Sequence, residues 1–548
     1  MSRARVAVIA WIRQEWFWLS YVVIFLTSFA VLLVLQSAPV FADPDSFYHV
    51  KMALLMRDQG IIREFPWLSL TTLGSDYTNQ HLIYHALLIP FVTFFPPLIG
   101  MKIATVVFGS TLFTVIYWFL RSFGVRWAFA YPLILLFIRP FTFRIALAKA
   151  PSTSLIFLII GVAWIFRYQL RRLFVLAFTY VWYYGGFPLL GVMAAIWSTV
   201  SFLANRFGKR MHAHRFVDNL RALVRPRGEV RSRRFSPNWA VLLVTSAGLA
   251  AGLIVNPYFP TNLAFYQQQL FNIGIVNFQN VIGVGAEWYP YDFGELAANG
   301  AFASILILFA VLGIVFRARA QSKRSWALLV MMLFFMALTL KSRRYVEYYI
   351  PFAVLFSAMS ISDSLAGISR HRFMVLARGF FGQTRWLRYA LVGLGIYFAI
   401  GVGFIAGRDF AGEMRDLRSG YRLDELQASS TWLTENTPAG SRVVHSDWDE
   451  FPLLFYHNSH NTYIAGLDPT FLYQANENIY WTWVDITLGK YSGDVYRAVT
   501  ETLGASYVFL TLDHGGMQSL ITRDGRFVEV YRDDEAVIYR ADPSAEPA

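Results

Sequence analysis

The sequence predicts a polytopic α-helical membrane domain over residues 1–407, followed by a mixed α/β domain outside the cytoplasm over residues 408–548. Of the 548 residues, 56% are hydrophobic and only 15% are charged, whereas an ordinary soluble domain has about 25% charged residues. Residues 1–407, which contain the long apolar runs, have a net charge of +24, and residues 408–548 have a net charge of −11. This composition excludes a soluble cytosolic enzyme, and the absence of cysteine excludes a disulfide-bonded scaffold.

The N-terminal segment is predicted to be a transmembrane helix rather than a cleaved signal. Arg3, Arg5 and Arg13 precede an apolar run over residues 16–35. This run is longer than the core of a signal peptide, and further spans follow it. The basic residues place the N-terminal side of this helix in the cytoplasm.

Further apolar segments bring the expected number of spans to about eleven. They lie at residues 101–120, 127–139, 153–166, 172–184, 187–204, 238–256, 299–316, 326–340, 347–366 and 388–407. The stretch 86–98 is apolar but short and contains prolines, so we expect it to be interfacial or re-entrant. An odd number of spans places the acidic domain outside and makes residues 39–100 the first outer loop.

Basic loops follow every second span and are expected to face the cytoplasm. The loop 205–237 has ten Lys or Arg against two acids. Between two spans, such a loop is explained by topology and by contact with anionic lipid, so we expect no nucleic-acid partner. The pattern predicts a multi-pass protein of the inner (cytoplasmic) membrane.

The C-terminal domain has a strand-rich pattern. Residues 421–435 are predicted to be helical, and strands are predicted at residues 442–445, 506–510, 527–531 and 536–539. His, Asn, Trp and Asp residues gather where these strands end, among them Trp448, Asp449 and Asp468. Such groupings on loops are more typical of a site than of a core.

The first outer loop opens with two acids, in Ala42-Asp43-Pro44-Asp45-Ser-Phe-Tyr48-His49. Asp43 suits the N-cap of a helix and Pro44 its first position. Asp45 and His49 are four residues apart, so they share one face of that helix.

Later in the same loop, His81 and His85 also share a helix face. A metal site would need a third ligand, and hydrogen-bonded histidines at the membrane interface are the alternative.

Basic residues lie at outer positions that the topology rule disfavours. Arg144 and Lys149 fall in the second outer loop, and Arg343 and Arg344 fall at the outer end of a span. Such cations could bind an anionic lipid phosphate. The alternative is that they extend to the membrane surface and pair locally, for example Arg343 with Glu347. The third outer loop adds Glu287 beside aromatic residues, which suggests a surface that faces sugar or peptide.

These motifs resemble the catalytic subunit of oligosaccharyltransferase, within the GT-C class of membrane glycosyltransferases. That family has an Asp-x-x-Tyr-His-x-Arg pattern in its first outer loop, and here the same register holds Asp45-Ser-Phe-Tyr48-His49-Val-Lys51. Its soluble domain carries a Trp-Trp-Asp-Tyr-Gly motif, of which Trp448-Asp449 matches two residues. Glu287 lies where the family has a functional glutamate.

The resemblance implies a glycosyltransferase that moves a sugar or oligosaccharide from a polyprenyl-phosphate or -diphosphate donor to an extracytoplasmic protein or glycan. Asp45 would be catalytic, with Asp43 assisting. Two groups of roles follow for the other residues: the donor phosphate would meet Arg144, Lys149, Arg343 and Arg344, and the acceptor would meet Tyr48, His49, His81, His85, Glu287, Trp448 and Asp449. A lipid flippase, or a scaffold with a periplasmic binding domain, is the alternative with the same layout.

The cofactor expectation has two forms. The family has an acidic metal-binding pair in its second outer loop, where this sequence has Lys149. A lysine could neutralise phosphate directly, so activity without metal is expected. Alternatively, Asp45, Glu287 and a histidine such as His49 or His81 would hold Mg²⁺ or Mn²⁺.

Overall fold

A computed structural model of the chain describes residues 3–207, 237–366 and 385–544. The predicted cytoplasmic loop 205–237 lies mostly outside these ranges. The helices of the first part are Arg3–Leu35, Asp45–Gln59, Leu82–Phe94, Pro97–Ser122, Ala130–Leu135, Arg139–Ala146, Pro151–Phe166, Leu170–Tyr183, Pro188–Phe207, Pro237–Ile254, Thr261–Gln267, Phe293–Asn299, Ala301–Arg317, Lys323–Lys341, Val346–Ser364 and Arg385–Arg418. The described chain is therefore mainly helical up to residue 418.

Most predicted spans coincide with helices. By length and apolarity, six helices of the described ranges could cross a membrane, or seven if Arg139–Ala146 and Pro151–Phe166, bent by 114°, form one broken span. The prediction of a span at residues 127–139 is wrong, because this segment contains only the six-residue helix Ala130–Leu135. Such a helix is about 9 Å long, and a bilayer core is about 30 Å thick.

The C-terminal part contains a five-stranded mixed sheet. Its strands are β3 (Arg442–Val444), β4 (Thr462–Tyr463), β5 (Tyr507–Thr511), β6 (Phe527–Arg532) and β7 (Ala536–Ala541), in the order β4-β3-β5-β7-β6, after the short strands β1 (Val40–Phe41) and β2 (Tyr421–Arg422). β3 runs parallel to β4 and β5, and β7 runs antiparallel to β5 and β6. The helices of this part are Gln427–Asn436, Phe451–His457, Thr470–Ala475, Glu477–Thr487, Val495–Arg497 and Gly515–Thr522. The strand predictions are confirmed within one or two residues.

Strand β1 ties residues 39–100, the predicted first outer loop and here called the first outer segment, to the C-terminal part. It pairs antiparallel with β2, with Val40 opposite Arg422 and Phe41 opposite Tyr421. The helix predicted to begin at residue 421 therefore begins only at Gln427, because residues 421–422 form the strand. The predicted domain boundary at residue 408 lies inside the helix Arg385–Arg418.

Aromatic packing joins the same two parts of the chain. Helix Asp45–Gln59 lies against helix Phe451–His457, where the Phe47 and Tyr456 rings are 5.7 Å apart. Lys51 Nζ also donates a hydrogen bond to the Tyr456 carbonyl oxygen at 3.1 Å. These contacts fix the first outer segment against the C-terminal sheet, and a cavity lies between them.

Candidate active site

A cavity of about 560 Å³ lies where the helical part meets the C-terminal sheet. Its wall combines charged side chains and one tryptophan from six separate segments of the chain. They are Asp43, Asp45, Arg144, Lys149, Glu287, Arg343, Arg344, Trp448, Asp449 and Asp468. Residues up to 425 positions apart, Asp43 and Asp468, therefore share one space.

Lys149 connects the two acids of the first outer segment. Its Nζ lies 2.6 Å from Asp43 Oδ2 and 2.8 Å from Asp45 Oδ2. The helix begins at Asp45, one residue later than predicted, because Pro44 precedes its first turn. Asp43 still accepts a backbone hydrogen bond, from the Asp45 N–H at 3.0 Å. Both carboxylates are thus held at the start of one helix and bridged by one ammonium group.

The two carboxylates keep the Lys149 side chain protonated. Burial alone would lower the pKa of Lys149, but the carboxylates of Asp43 and Asp45 outweigh it and raise that pKa above its usual value. Burial raises the pKa of Asp45, while the Lys149 ammonium opposes this shift. The ammonium therefore remains protonated across the physiological pH range.

A second ion-pair network surrounds Glu287. Arg144 Nη1 lies 2.7 Å from Glu287 Oε2, and Arg344 Nη1 lies 3.0 Å from Glu287 Oε1. Burial would raise the pKa of Glu287, but Arg344 and Arg144 lower it far below its usual value. Glu287 is therefore ionised and bound by two guanidinium groups.

Glu347 extends this network from below the cavity. Its side chain is fully buried, and its Oε2 accepts hydrogen bonds from Arg144 Nε and Nη2 at 3.1 and 3.0 Å. The alternative pairing of Glu347 with Arg343 is wrong. Arg343 instead faces Glu295, at 3.8 Å, and its side chain is 47% exposed at the cavity wall.

The histidines of the first outer segment form a cluster. His49 Nδ1 lies 2.8 Å from His85 Nε2, and the His49 and His81 rings are 5.0 Å apart. Burial lowers the pKa of His81 to about 3 and also lowers the pKa values of His49 and His85. His49, His81 and Tyr48 line the cavity, whereas His85 is fully buried behind His49. These imidazoles are therefore neutral near pH 7.

The turn with Trp448 and Asp449 forms the opposite wall. Asp447 and Glu450 close this turn through reciprocal hydrogen bonds between side chain and backbone. Asp449 Oδ2 accepts a hydrogen bond from the Tyr421 hydroxyl at 3.0 Å. Burial and the neighbouring Asp447 raise the pKa of Asp449 to about 6. Trp448 lies beside Gly285, where an added Cβ would be 3.5 Å from its ring.

The divalent ion implied by the resemblance does not fit the side chains at this site. The Lys149 ammonium lies between the carboxylates of Asp43 and Asp45, and Glu287 is paired with two arginines. A divalent ion would meet these fixed positive charges directly. Within residues 3–207, 237–366 and 385–544, no three His, Asp or Glu side chains are grouped to hold a metal ion.

The sequence does not predict the positions of two residues here. Its spacing pairs Glu347 with Arg343, whereas the Glu347 carboxylate binds Arg144. Asp468 follows a predicted strand with no assigned role, and it lies buried in the cavity wall. The Asp-Pro pair that follows strand β4 was the available signal for Asp468.

Comparison by sequence finds no relative: no family model matches this chain, and no curated protein matches it. Comparison by structure does find relatives. The oligosaccharyltransferase AglB from Archaeoglobus fulgidus, solved with an inhibitory peptide and a dolichol-phosphate, is similar with a TM-score of 0.62 and 14% identity over 97% of this chain and 75% of that chain.

Two other kinds of glycosyltransferase are similar as well. ArnT from Cupriavidus metallidurans, solved with undecaprenyl phosphate, has a TM-score of 0.55 and 14% identity over 97% of this chain and 99% of that chain. The arabinofuranosyltransferase AftD from Mycobacteria has a TM-score of 0.50 and 11% identity, over 96% of this chain and 40% of that chain. Over nearly its whole length, the chain therefore has the fold of the GT-C membrane glycosyltransferases.

Proposed function

We propose that this protein transfers a sugar or oligosaccharide from a polyprenyl-phosphate or -diphosphate donor to a protein or glycan acceptor on the outer face of the cytoplasmic membrane. The observation that carries the proposal is the convergence of Arg144, Lys149 and Arg344 on one cavity in a GT-C fold. AglB and ArnT were solved with dolichol-phosphate and undecaprenyl phosphate, which supports a polyprenyl donor.

The donor phosphate would bind between these three cations. Each guanidinium has five N–H donors and an ammonium has three, so the ion pairs present leave donors free. Lys149 uses two of its three on Asp43 and Asp45. As the bond between sugar and phosphate breaks, negative charge grows on the leaving oxygen, and fixed cations stabilise it. Arg343 at the cavity wall would meet the incoming phosphate first.

The acceptor would be held between the first outer segment and the C-terminal turn. Asp45 would accept a hydrogen bond from the nucleophile and orient it, while Asp43 keeps Lys149 in place. Glu287, Trp448 and Asp449 would contact the acceptor from the other walls. Tyr48, His49 and His81 would shape the floor, with His85 supporting His49 from behind.

We also propose that the reaction needs no divalent ion. A metal would act here by neutralising phosphate, and a lysine ammonium can do the same as a compact point charge. The position of Lys149 between Asp43 and Asp45 supports this proposal. Both carboxylates are already paired with the Lys149 ammonium.

The proposal is tested with purified protein in lipid nanodiscs and a panel of labelled undecaprenyl-phosphate and -diphosphate sugars. We expect label to leave the lipid for water or for an added membrane extract. Arg344→Gln should abolish this, because it removes one of the three cations that would bind the donor phosphate. Arg497→Gln, at an exposed position, should not. If no donor is consumed and the labelled lipid instead crosses liposome bilayers intact, the protein is a flippase.

A further inference from the structure

The cavity carboxylates fall into two groups by their partners. Five of them pair with a cation within 4.0 Å: Asp43 and Asp45 with Lys149, Glu287 with Arg144 and Arg344, Glu295 with Arg343, and Asp416 with Arg139. In the described part of the chain, Asp449 and Asp468 have no such cation. These two carboxylates are therefore more easily protonated than the others, because no neighbouring cation stabilises their ionised form.

The two carboxylates differ in whether a side chain from another segment of the chain binds them. Asp449 is already engaged with the Tyr421 hydroxyl. Asp468 is 8% exposed, and its Oδ1 accepts a hydrogen bond from the backbone N–H of Thr470 at 2.9 Å. Among the described residues, only Thr470 donates hydrogen bonds to its carboxylate, so the group is buried in the cavity wall with few contacts that replace water.

The backbone that carries Asp468 is strained. Leu467 has a φ of 66°, in the left-handed region that a leucine rarely occupies. Gly466 precedes it and packs so closely on the Phe451 ring that an added Cβ would collide with that ring. Such strain persists only where the surrounding structure imposes it, and it is concentrated at functional sites. Here it turns Asp468 to the cavity immediately before helix Thr470–Ala475.

The electrostatic setting suits proton transfer near neutral pH. Burial raises the pKa of Asp468 to about 6, and the hydrogen bonds from Thr470 oppose the shift. Glu287 raises this pKa and Arg344 lowers it, and Tyr480 also faces the group. A general base works best when its pKa is close to the working pH. The pKa of His81, about 3, makes that imidazole a far weaker base.

We propose that Asp468 is the general base that takes the proton from the acceptor nucleophile. This inference rests on the proposed glycosyl transfer. The nucleophile forms a bond to the anomeric carbon of the sugar as its own bond to hydrogen breaks, and the proton goes to an Asp468 carboxylate oxygen. The bond between the anomeric carbon and the phosphate oxygen breaks, and its electron pair stays on the phosphate beside Arg344. The proton then passes to water.

A purely structural role would also explain Asp468, because Asp caps the turn before a helix. Asp468→Asn separates the two roles, since an amide oxygen still accepts the Thr470 hydrogen bond but cannot act as a base at this pH. The measurement is the rate of labelled sugar release from the lipid donor between pH 5 and 8. Direct binding of undecaprenyl phosphate and thermal unfolding are measured on the same samples.

We expect the wild-type rate to rise with pH through about 6 and then level off, because the base must be deprotonated. In Asp468→Asn this rise should vanish and the rate should fall by about a hundredfold or more, with lipid binding and unfolding unchanged. Asp468→Glu should restore part of the rise. Asp424→Asn, at an exposed site of the same part of the chain, should behave as wild type.

Three results would overturn the assignment. If the wild type releases sugar and Asp468→Asn keeps the pH-dependent rise, only the base assignment falls. If the rise is lost in Asp449→Asn instead, Asp449 is the base. If the wild type consumes no donor at all, the proposed function falls together with this inference. Should Asp468→Asn fail to fold, Asp468→Ser, which also caps a helix, is measured in its place.

Discussion

At the residue scale, the position of Lys149 sets the net charge at the start of helix Asp45–Gln59. One ammonium group and two carboxylates carry a net charge of −1, so this corner alone does not attract a phosphate. The guanidinium groups of Arg144 and Arg344 must provide most of the attraction. Lys149 then contributes its remaining N–H and halves the negative charge with which Asp43 and Asp45 would repel the donor.

Two experiments test the role of Lys149: removal of its ammonium group, and removal of divalent ions from the wild type. We expect Lys149→Ala to raise the activation barrier by about 2–4 kcal/mol, as for the loss of one charge-assisted contact. Turnover of the wild type should be unchanged by EDTA. Donor consumption, measured with and without chelator, checks both expectations, and Lys490→Ala at an exposed site is the matched control. Complete loss on chelation with rescue by Mg²⁺ or Mn²⁺ would show that Lys149 does not replace a metal.

Asp45 and Asp43 should differ when each is changed to asparagine. Asn accepts a backbone hydrogen bond as well as Asp does, so Asp43→Asn should retain most activity. Asp45→Asn should lower turnover by roughly a hundredfold or more, because a neutral amide holds the nucleophile by a weaker hydrogen bond than a carboxylate does, and a misoriented nucleophile costs about that much. Turnover and thermal unfolding of both variants check this. Loss of activity in Asp43→Asn alone would mean that the two roles are reversed.

At the scale of elements, the strand pair β1–β2 positions the start of helix Asp45–Gln59. β1 ends only four residues before Asp45, and β2 begins directly after Gly420. An added Cβ at Gly420 would collide with the backbone of Phe41 and Ala42. The glycine therefore permits the close approach of the two segments.

Gly420→Ala should disturb this pair and displace the start of helix Asp45–Gln59. We expect a lower unfolding temperature. We also expect turnover to fall by more than the fraction of protein that is unfolded at the assay temperature, because Asp43 and Asp45 follow the strand directly. Gly440→Ala provides a contrast: its φ of 77° makes it strained, but it has open space around it and lies away from the cavity. Equal turnover in Gly420→Ala and wild type would show that β1 does not position the site.

At the scale of the whole molecule, the charge pattern predicts that the cavity opens to the outer face. Arg171→Cys and Ser519→Cys place single thiols at exposed positions on the two predicted sides, in a chain that has no native cysteine. In intact cells, an impermeant maleimide should label the Ser519→Cys variant, and should label the Arg171→Cys variant only after permeabilisation. The opposite labelling would invert the topology and place the cavity in the cytoplasm.

Much of the architecture follows from local sequence. Apolar runs predict helices because burying a helical backbone in lipid requires side chains of that kind, and alternating patterns predict strands β3, β5, β6 and β7. The segment 127–139 is the exception. Its apolarity is that of a span, but its helix ends at Leu135, and the next helix, with Pro140 in its first turn, begins at Arg139. The motif with Asp45, Tyr48 and His49 is also visible in the sequence.

Pairing between distant charges was decided only by the tertiary structure. The sequence alone predicts that Arg144, Lys149 and Glu287 lie at outer positions and that acids stand at the start of a helix at Asp45. It contained no signal that Lys149 would bridge Asp43 and Asp45, or that Glu347 would hold Arg144. Ion pairs form between groups that packing brings within a few ångströms, and this packing joins segments about 60 to 200 residues apart. The sequence therefore determined the class of fold and its reactive groups, and the tertiary structure decided which charges remain free.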